Sequence, residues 1–306
     1  MALNKGIAGS NFYAMINGQA GGYLTAATIP TIEVDKITVA PGPDGVSKMA
    51  GGRAKFGKAK VVTNISEANA LWQLIESVMK KNCQEFDAAI GVADHNYKSV
   101  RECNMSTCLI DTVSFSNLKA DDGKGLFEVT AEFQCQDVKW DNGSGAVIKG
   151  NLSNKAKGWQ KSYFVANGLF GGIPSQCVTE IALAKHTAKL VTEHVGQHRF
   201  PTLQYGPWTL EGLKVSGSHA YGGYEAARDF AVKVMYDGVL QESEFVDWTV
   251  DIKAPNHKDT VGTVTFIQTA PQKFTVPEYK GGDDKPMPWS FDCFIEQQYM
   301  AIAQKM

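Results

Sequence analysis

Apolar and polar residues alternate along most of this chain, and in each half one window changes to a helical period. Phe12-Tyr13-Ala14-Met15-Ile16 is closed by Asn17-Gly18, a dipeptide favoured in tight hairpins, and predicts a first strand. Ile29 to Val39 sets Ile32, Val34 and Ile37 among polar residues, with one slip, and predicts a long strand. Pro41-Gly42-Pro43-Asp44-Gly45 breaks the chain, and Lys55 to Thr63 resumes a strand. Then Ala70, Leu71, Leu74, Ile75, Val78 and Met79 recur at helical spacing. Ser66 is the expected N-cap, with Glu67 in the first turn and Lys80 and Lys81 at the cation-favouring end. Strands return over Asp87 to Ala93, Thr107 to Leu118 and Leu126 to Val138, the last alternating at Phe127, Val129, Ala131, Phe133 and Cys135.

The same succession recurs. Asn17-Gly18 and Gly21-Gly22 match Asn167-Gly168 and Gly171-Gly172 at one offset, 167 − 17 = 150. The segment from Gly57 parallels that from Gly212, with Glu67-Ala68 opposite Glu225-Ala226 and Val78-Met79 opposite Val234-Met235. Glu85-Phe86 falls opposite Glu244-Phe245, Lys98 opposite Lys258, and Asp121-Asp122 opposite Asp283-Asp284. Ala226, Ala227, Phe230, Val234 and Met235 form the second helical stripe, stopped by Gly238, and strands follow around Trp248-Val250-Ile252, Val261 to Thr269 and Trp289 to Ile295. One shared Asn-Gly would mean little; matches in one order predict an internal duplication. Each copy reads as a two-layer β unit with a single helix, so the fold class is mainly β with minor α.

Each half resembles the tail tube protein family of contractile phages, which is related to the inner-tube proteins of contractile injection systems and type VI secretion. The resemblance is carried by Phe12 to Ile16, Gly18, Gly21-Gly22, Lys55 to Thr63, Leu71-Trp72 and the terminal strands Thr107 to Val138. It covers about 11–140 and, more loosely, 162–298, where Asp229-Phe230 replaces the Leu-Trp pair and Val178 to Phe200 has a more helical composition than Thr31 to Gly45. It implies two tandem tail-tube-like domains, 1–150 and 151–306, each a two-layer β sandwich or partial barrel with one flanking helix. It implies a structural subunit whose rings stack into a hollow conduit for DNA or an effector inside a contractile sheath. The expected partners are other copies of the chain, in trimeric (pseudo-hexameric) or hexameric rings, the tail sheath protein, and baseplate and tail-terminator proteins. Double-stranded DNA would pass without sequence-specific binding. The place is the virion tail, assembled in the host bacterial cytoplasm; the alternative is a baseplate hub or tube-terminator ring. In that family the long hairpin and its nearby loop mediate ring-to-ring contact, which here makes Pro41, Asp44, Lys48, Gly51, Gly52 and Arg53 the candidate contact residues.

Composition agrees with a folded chain of about two domains: 306 residues, 43% hydrophobic and 20% charged, with a net charge of −2. No basic excess is available for neutralising phosphates. The six cysteines show no CxxC spacing, so buried reduced thiols are expected. No run approaches the ~20 apolar residues of a membrane span, and the N-terminus has no signal-peptide apolar run. His194 and His198 stand four apart with His186 nearby, but no HExxH motif accompanies them, and no metal or cofactor is expected. The glycines of Met49 to Gly52 and Gly168 to Gly172 lack the P-loop pattern and read as turns, as do the paired aspartates beside glycine and lysine. Without a nucleophile motif, the chain is not expected to be an enzyme.

Overall fold

The structure is a computed structural model that describes residues 12–22, 24–39, 48–65, 69–94, 96–146, 158–193, 200–238, 245–276 and 288–303, with the backbone alone for 39, 48–50 and 53. The N-terminal half contains β1 (Phe12–Ile16), β2 (Gln19–Ala20), β3 (Leu24–Thr28), β4 (Ile32–Val39), β5 (Lys48–Phe56) and β6 (Ala59–Asn64). After helix α1 (Ala70–Met79) come β7 (Phe86–Ala93), β8 (Ser99–Phe115), β9 (Leu118–Lys119) and β10 (Glu128–Asn142). The C-terminal half contains β11 (Phe164–Asn167), β12 (Val178–Ala182), β13 (Lys185–Glu193), β14 (Thr202–Glu211) and β15 (Leu213–Ser218). Helix α2 (Gly223–Ala231), extended by a π turn over Val232–Tyr236, precedes β16 (Val246–Lys253), β17 (Thr260–Thr275) and β18 (Pro288–Ile302).

Both halves build an antiparallel sheet in one order. The first runs β1-β7-β8-β10-β6-β3, and the second β11-β16-β17-β18-β15-β12. The agreement extends to irregularities. Register shifts at Phe86/Ala88 and Val92/Ala93 in β7 recur at Val246/Trp248 and Ile252/Lys253 in β16. Thr107 and Gln268 share a left-handed backbone at φ 51° and 52°. Their N–H groups donate to the carboxylates of Asp87 and Asp247, at 3.0 and 2.8 Å. Such backbone is uncommon for a residue with a Cβ, so its recurrence at one place in both sheets is specific. Even a cross-strand ion pair repeats: Lys60–Glu132 at 3.9 Å and Lys214–Asp292 at 4.0 Å.

Alternation on these strands puts one face in the core. In β10, Val129, Ala131, Phe133 and Cys135 are buried between half-exposed neighbours. The second core is more aromatic. Phe170, Phe230, Trp248, Phe266 and Phe291 pack with ring centroids 4.1 to 6.5 Å apart, and the Trp289 indole N–H donates to the Ser218 carbonyl at 2.9 Å. Helix α1 buries Leu71, Trp72, Ile75, Val78 and Met79, the face expected from its spacing.

Four sequence expectations change. The strand expected over Lys55 to Thr63 breaks at Gly57, whose N–H donates to the Thr31 carbonyl at 2.8 Å and whose added Cβ would stand 2.6 Å from the Thr31 hydroxyl. Leaving the hairpin for the core sheet requires that turn. Asn69, not Ser66, caps α1: its Oδ1 accepts from the Trp72 N–H at 2.9 Å, while Ser66 lies outside the described residues. Glu85-Phe86 and Glu244-Phe245 are not equivalent, because the bulges and bonded aspartates align Asp87 with Asp247, 247 − 87 = 160. Finally, the stretch after Val178 forms β12 and β13 rather than helix, since β13 pairs on both sides, with β14 and with β8 of the first sheet.

Candidate functional site

The long hairpins are where the two halves differ in surroundings while agreeing in construction. Hairpin β4–β5 forms a separate two-stranded sheet, whereas β13–β14 is joined to the first half. Both carry a bulge at one place: β4 and β5 shift register between Val34 and Lys36, and β13 and β14 between Ala188 and Leu190. Val34 therefore corresponds to Ala188, with 188 − 34 = 154. Gly52 and Gly206, separated by 206 − 52 = 154, face the bulged backbone. An added Cβ would stand 2.8 Å from the Asp35 carbonyl oxygen in the first case and 2.5 Å from that of Lys189 in the second. Glycine is required there by the close approach of two main chains.

Within the chain, β13 lies along the end of β8, with His186 opposite Val113 and Thr187 opposite Thr112. It extends the first sheet where β7 stops, because β7 last pairs β8 at Phe86 and Cys108. Tyr205 of β14 completes the junction by accepting a hydrogen bond from the Ile110 N–H at 3.0 Å, and burial pushes its hydroxyl well above the usual tyrosine range. In return β9, from the first half, pairs with the outer edge of β12, Leu118 opposite Ile181 and Lys119 opposite Glu180. The C-terminal turn of α1 packs toward β18, and between them and β14 lies a cleft of about 480 Å³ lined by Lys81, His186, Trp208, Glu211 and Gln298 among others.

His186 is buried, and burial lowers its pKa to about 4, with the Lys81 charge adding to the effect. Beside it, the Gln298 amide donates to the Ala184 carbonyl at 3.1 Å and accepts from its N–H at 2.8 Å. Asp111, bulged out of β8, is buried and paired with Lys58; desolvation raises its pKa against the opposing effect of that lysine.

In the first half the same surfaces have no partner strand among the described residues. Strand β3 is the terminal strand of its sheet, as β12 would be without β9. On β4, Ile32 and Val34 are 50% and 54% exposed, while their counterparts His186 and Ala188 are each 5% exposed. In the second half, β17 runs past the last β16 pairing at Thr269, and among the described residues no strand pairs with Pro271 to Thr275 on that side.

The predicted contact residues lie on or beside the uncovered hairpin. Lys48 pairs with Val39, Gly51 with Lys36, Gly52 faces the bulge and Arg53 sits within it. Pro41 and Asp44 lie outside the described residues, as do His194 and His198. Asp121 and Asp122 stand in a turn, where Asp122 bonds the Gly125 N–H at 2.8 Å and pairs with Lys161 at 2.8 Å. That partner lowers the Asp122 pKa. All six cysteines are free thiols, five of them buried; burial raises Cys103 to about 11. Among the described residues no group of three or more His, Cys, Asp or Glu could hold a metal ion, and no helix is long and apolar enough to cross a membrane. Sequence reasoning missed the edge of β17; its signal was Pro271 in a strand, a residue confined to edges and bulges.

No protein family and no curated protein matches the chain. Several solved structures are similar to part of it. A chain of the anti-feeding prophage baseplate, 6-fold symmetrised, is 13% identical with a TM-score of 0.40, over 45% of this chain and 97% of its own. A chain of an extracellular contractile injection system, the PVC sheath-tube complex in the extended state, is 12% identical with a TM-score of 0.39, over 46% and 94%. Hcp1 from Flavobacterium johnsoniae is 11% identical with a TM-score of 0.26, over 44% and 96%.

Proposed function

We propose that this chain is a structural subunit of a contractile-tail tube, a doubled unit that closes head-to-tail into rings and stacks into a hollow conduit for DNA or an effector. One observation carries the reading. Two sheets of the same strand order are joined by the second hairpin lying on the first sheet, and among the described residues no further strand pairs with the equivalent hairpin β4–β5 or with the Pro271–Thr275 edge of β17 that faces away from β18. An arrangement of that kind is a segment of a longer series, because each unit offers its neighbour the surface it uses itself. A contact of one surface with a different one generates a closed ring or an open filament. Ring closure also removes the open strand edges that would otherwise invite uncontrolled pairing.

On this reading residues 1–150 and 151–306 are tandem copies of one domain, and three chains supply a six-unit ring. The role is passive, with no reaction performed. The net charge of −2 suits a conduit that does not retain DNA. A sheath protein would surround the tube, and baseplate and terminator proteins would bind its ends, in a virion tail. The tip of the first hairpin, with Pro41, Asp44 and Lys48, is proposed to touch the next ring, with Gly51, Gly52 and Arg53 setting the bulge that directs it.

Electron microscopy of the purified full chain tests this. Rods built of stacked rings are expected, and reversing charge at the tip with Asp44→Lys and Lys48→Glu is expected to leave rings but stop elongation. A single ring that never elongates would instead favour the hub or terminator reading. A chain that stays monomeric at high concentration would end the proposal.

A further inference from the structure

The junction inside the chain can be transferred, residue by residue, onto the surfaces left open at its ends. Hairpin positions transfer by 154, since Val34 matches Ala188, so Ile32, Glu33 and Gly51 stand for His186, Thr187 and Tyr205. Positions on the receiving strand transfer by 161. The irregularity of β8 leaves Asp111 unpaired between Ile110 and Thr112, and that of β17 leaves Gln272 unpaired between Pro271 and Lys273, with 272 − 111 = 161. Ile110, Thr112 and Val113 thus become Pro271, Lys273 and Phe274.

We infer that the β4–β5 hairpin of one chain lies antiparallel on the Pro271–Phe274 edge of a second copy of this chain, with Ile32 opposite Phe274 and Glu33 opposite Lys273. This rests on the ring reading above and names its contact. Three changes at the transferred positions support it, each matched by a change in the partner position. His186 against Val113 becomes Ile32 against Phe274, an apolar pair in which Ile32 is 50% exposed in the isolated chain. Thr187 against Thr112 becomes Glu33 against Lys273, two exposed residues of opposite charge. Tyr205, which takes the Ile110 N–H, becomes Gly51, which has no hydroxyl, and the position it would serve is Pro271, which has no N–H to satisfy. Losing either half of that last hydrogen bond alone would leave a buried polar group unpaired; losing both leaves none.

A separate feature distinguishes the two helix ends. Met79 of α1 is 3% exposed beneath the second half, whereas Met235 after α2 is 40% exposed, with Tyr236 beside it at 86%. The second half therefore carries an exposed apolar helix end at Met235 and Tyr236, whereas the first half covers the matching Met79.

Directly opposed residues of an antiparallel pair lie about 4.5–5.5 Å apart at Cα, within disulfide reach. Oxidising a chain that carries both Ile32→Cys and Phe274→Cys is expected to link chain to chain, giving covalent multimers on a non-reducing gel, while either single variant gives none. Phe274 also packs on Phe291, so a second pair of exposed positions guards against a folding defect. Glu33→Lys and Lys273→Glu should each lose the rings seen by microscopy, and the double variant should recover them. Rings in the unmodified chain without the cross-link, or a double variant no better than the singles, would overturn this register and leave the ring reading standing. Failure of the unmodified chain to associate at all would instead overturn both.

Discussion

At the scale of single residues, His186 shows how one position serves the junction between the two halves. Its counterpart is Ile32, yet it is a titratable ring, held neutral where β13 meets the first sheet. Its folded pKa of about 4 lies below the ordinary value of 6.5, so between those values the unfolded chain binds more protons. Stability is therefore full above about pH 6.5, falls as pH drops toward 4, and changes no further from this group below that. The expected loss between pH 7.5 and pH 5 is on the order of 2 kcal/mol. His186→Ile, which installs the residue found at the matching register of the first hairpin, should flatten this window, as measured by urea midpoints at the two pH values. An equal pH dependence in the variant would place its origin elsewhere. Gly52 makes a different point about single residues. The sequence marks it as a contact residue because it sits in a resembling hairpin, but the two hairpins together show a second demand on it: main chain passes too close for any side chain.

At the scale of elements, what was legible depended on whether a pattern was local. Helix α1 shows its six apolar positions in sequence and buries that face, and β10 shows its alternation. The cap did not follow, because two good capping residues, Ser66 and Asn69, precede the helix and only the path of the chain decides between them. Asn69 also fits against Gly22, where an added Cβ would be 2.2 Å from its side-chain amide. Asn69→Ala should thus cost about 1 kcal/mol in chemical denaturation, in line with loss of a single capping bond, and Asn69→Asp should retain most of it. If the alanine variant is as stable as the parent, the cap does not hold the helix start. Strand β3, Leu24-Thr25-Ala26-Ala27-Thr28, was not legible because its small residues carry almost no pattern, and β13 was misread because its strand character comes from pairing with β14 and β8. The order of the proposed repeat could be followed in sequence, but its register could not: the offset shifts from 154 at the hairpins to 161 on β17, and only bulges and the bonded aspartates fix it locally.

At the scale of the whole molecule, the proposed ring poses a count of chains, and the inferred Glu33–Lys273 junction supplies the experiment for it. Chains with Glu33→Lys carry an altered hairpin, and chains with Lys273→Glu an altered receiving strand. In an equimolar mixture, the altered hairpin meets the altered strand with opposite charges, and the two unaltered surfaces meet likewise. Every junction is satisfied only if the two kinds alternate around the ring. Six chains can alternate; three cannot, and one like-charged junction always remains. A directly opposed pair is worth up to about 1 kcal/mol, close to a fivefold change in an equilibrium. If three chains close the ring, as proposed, native mass measurement of the mixture should find closed rings about fivefold fewer than the double variant gives, yet more than either single variant. If six chains close it, the mixture should equal the double variant. The parity of the ring is thereby read from a charge reversal, without an image of the assembly.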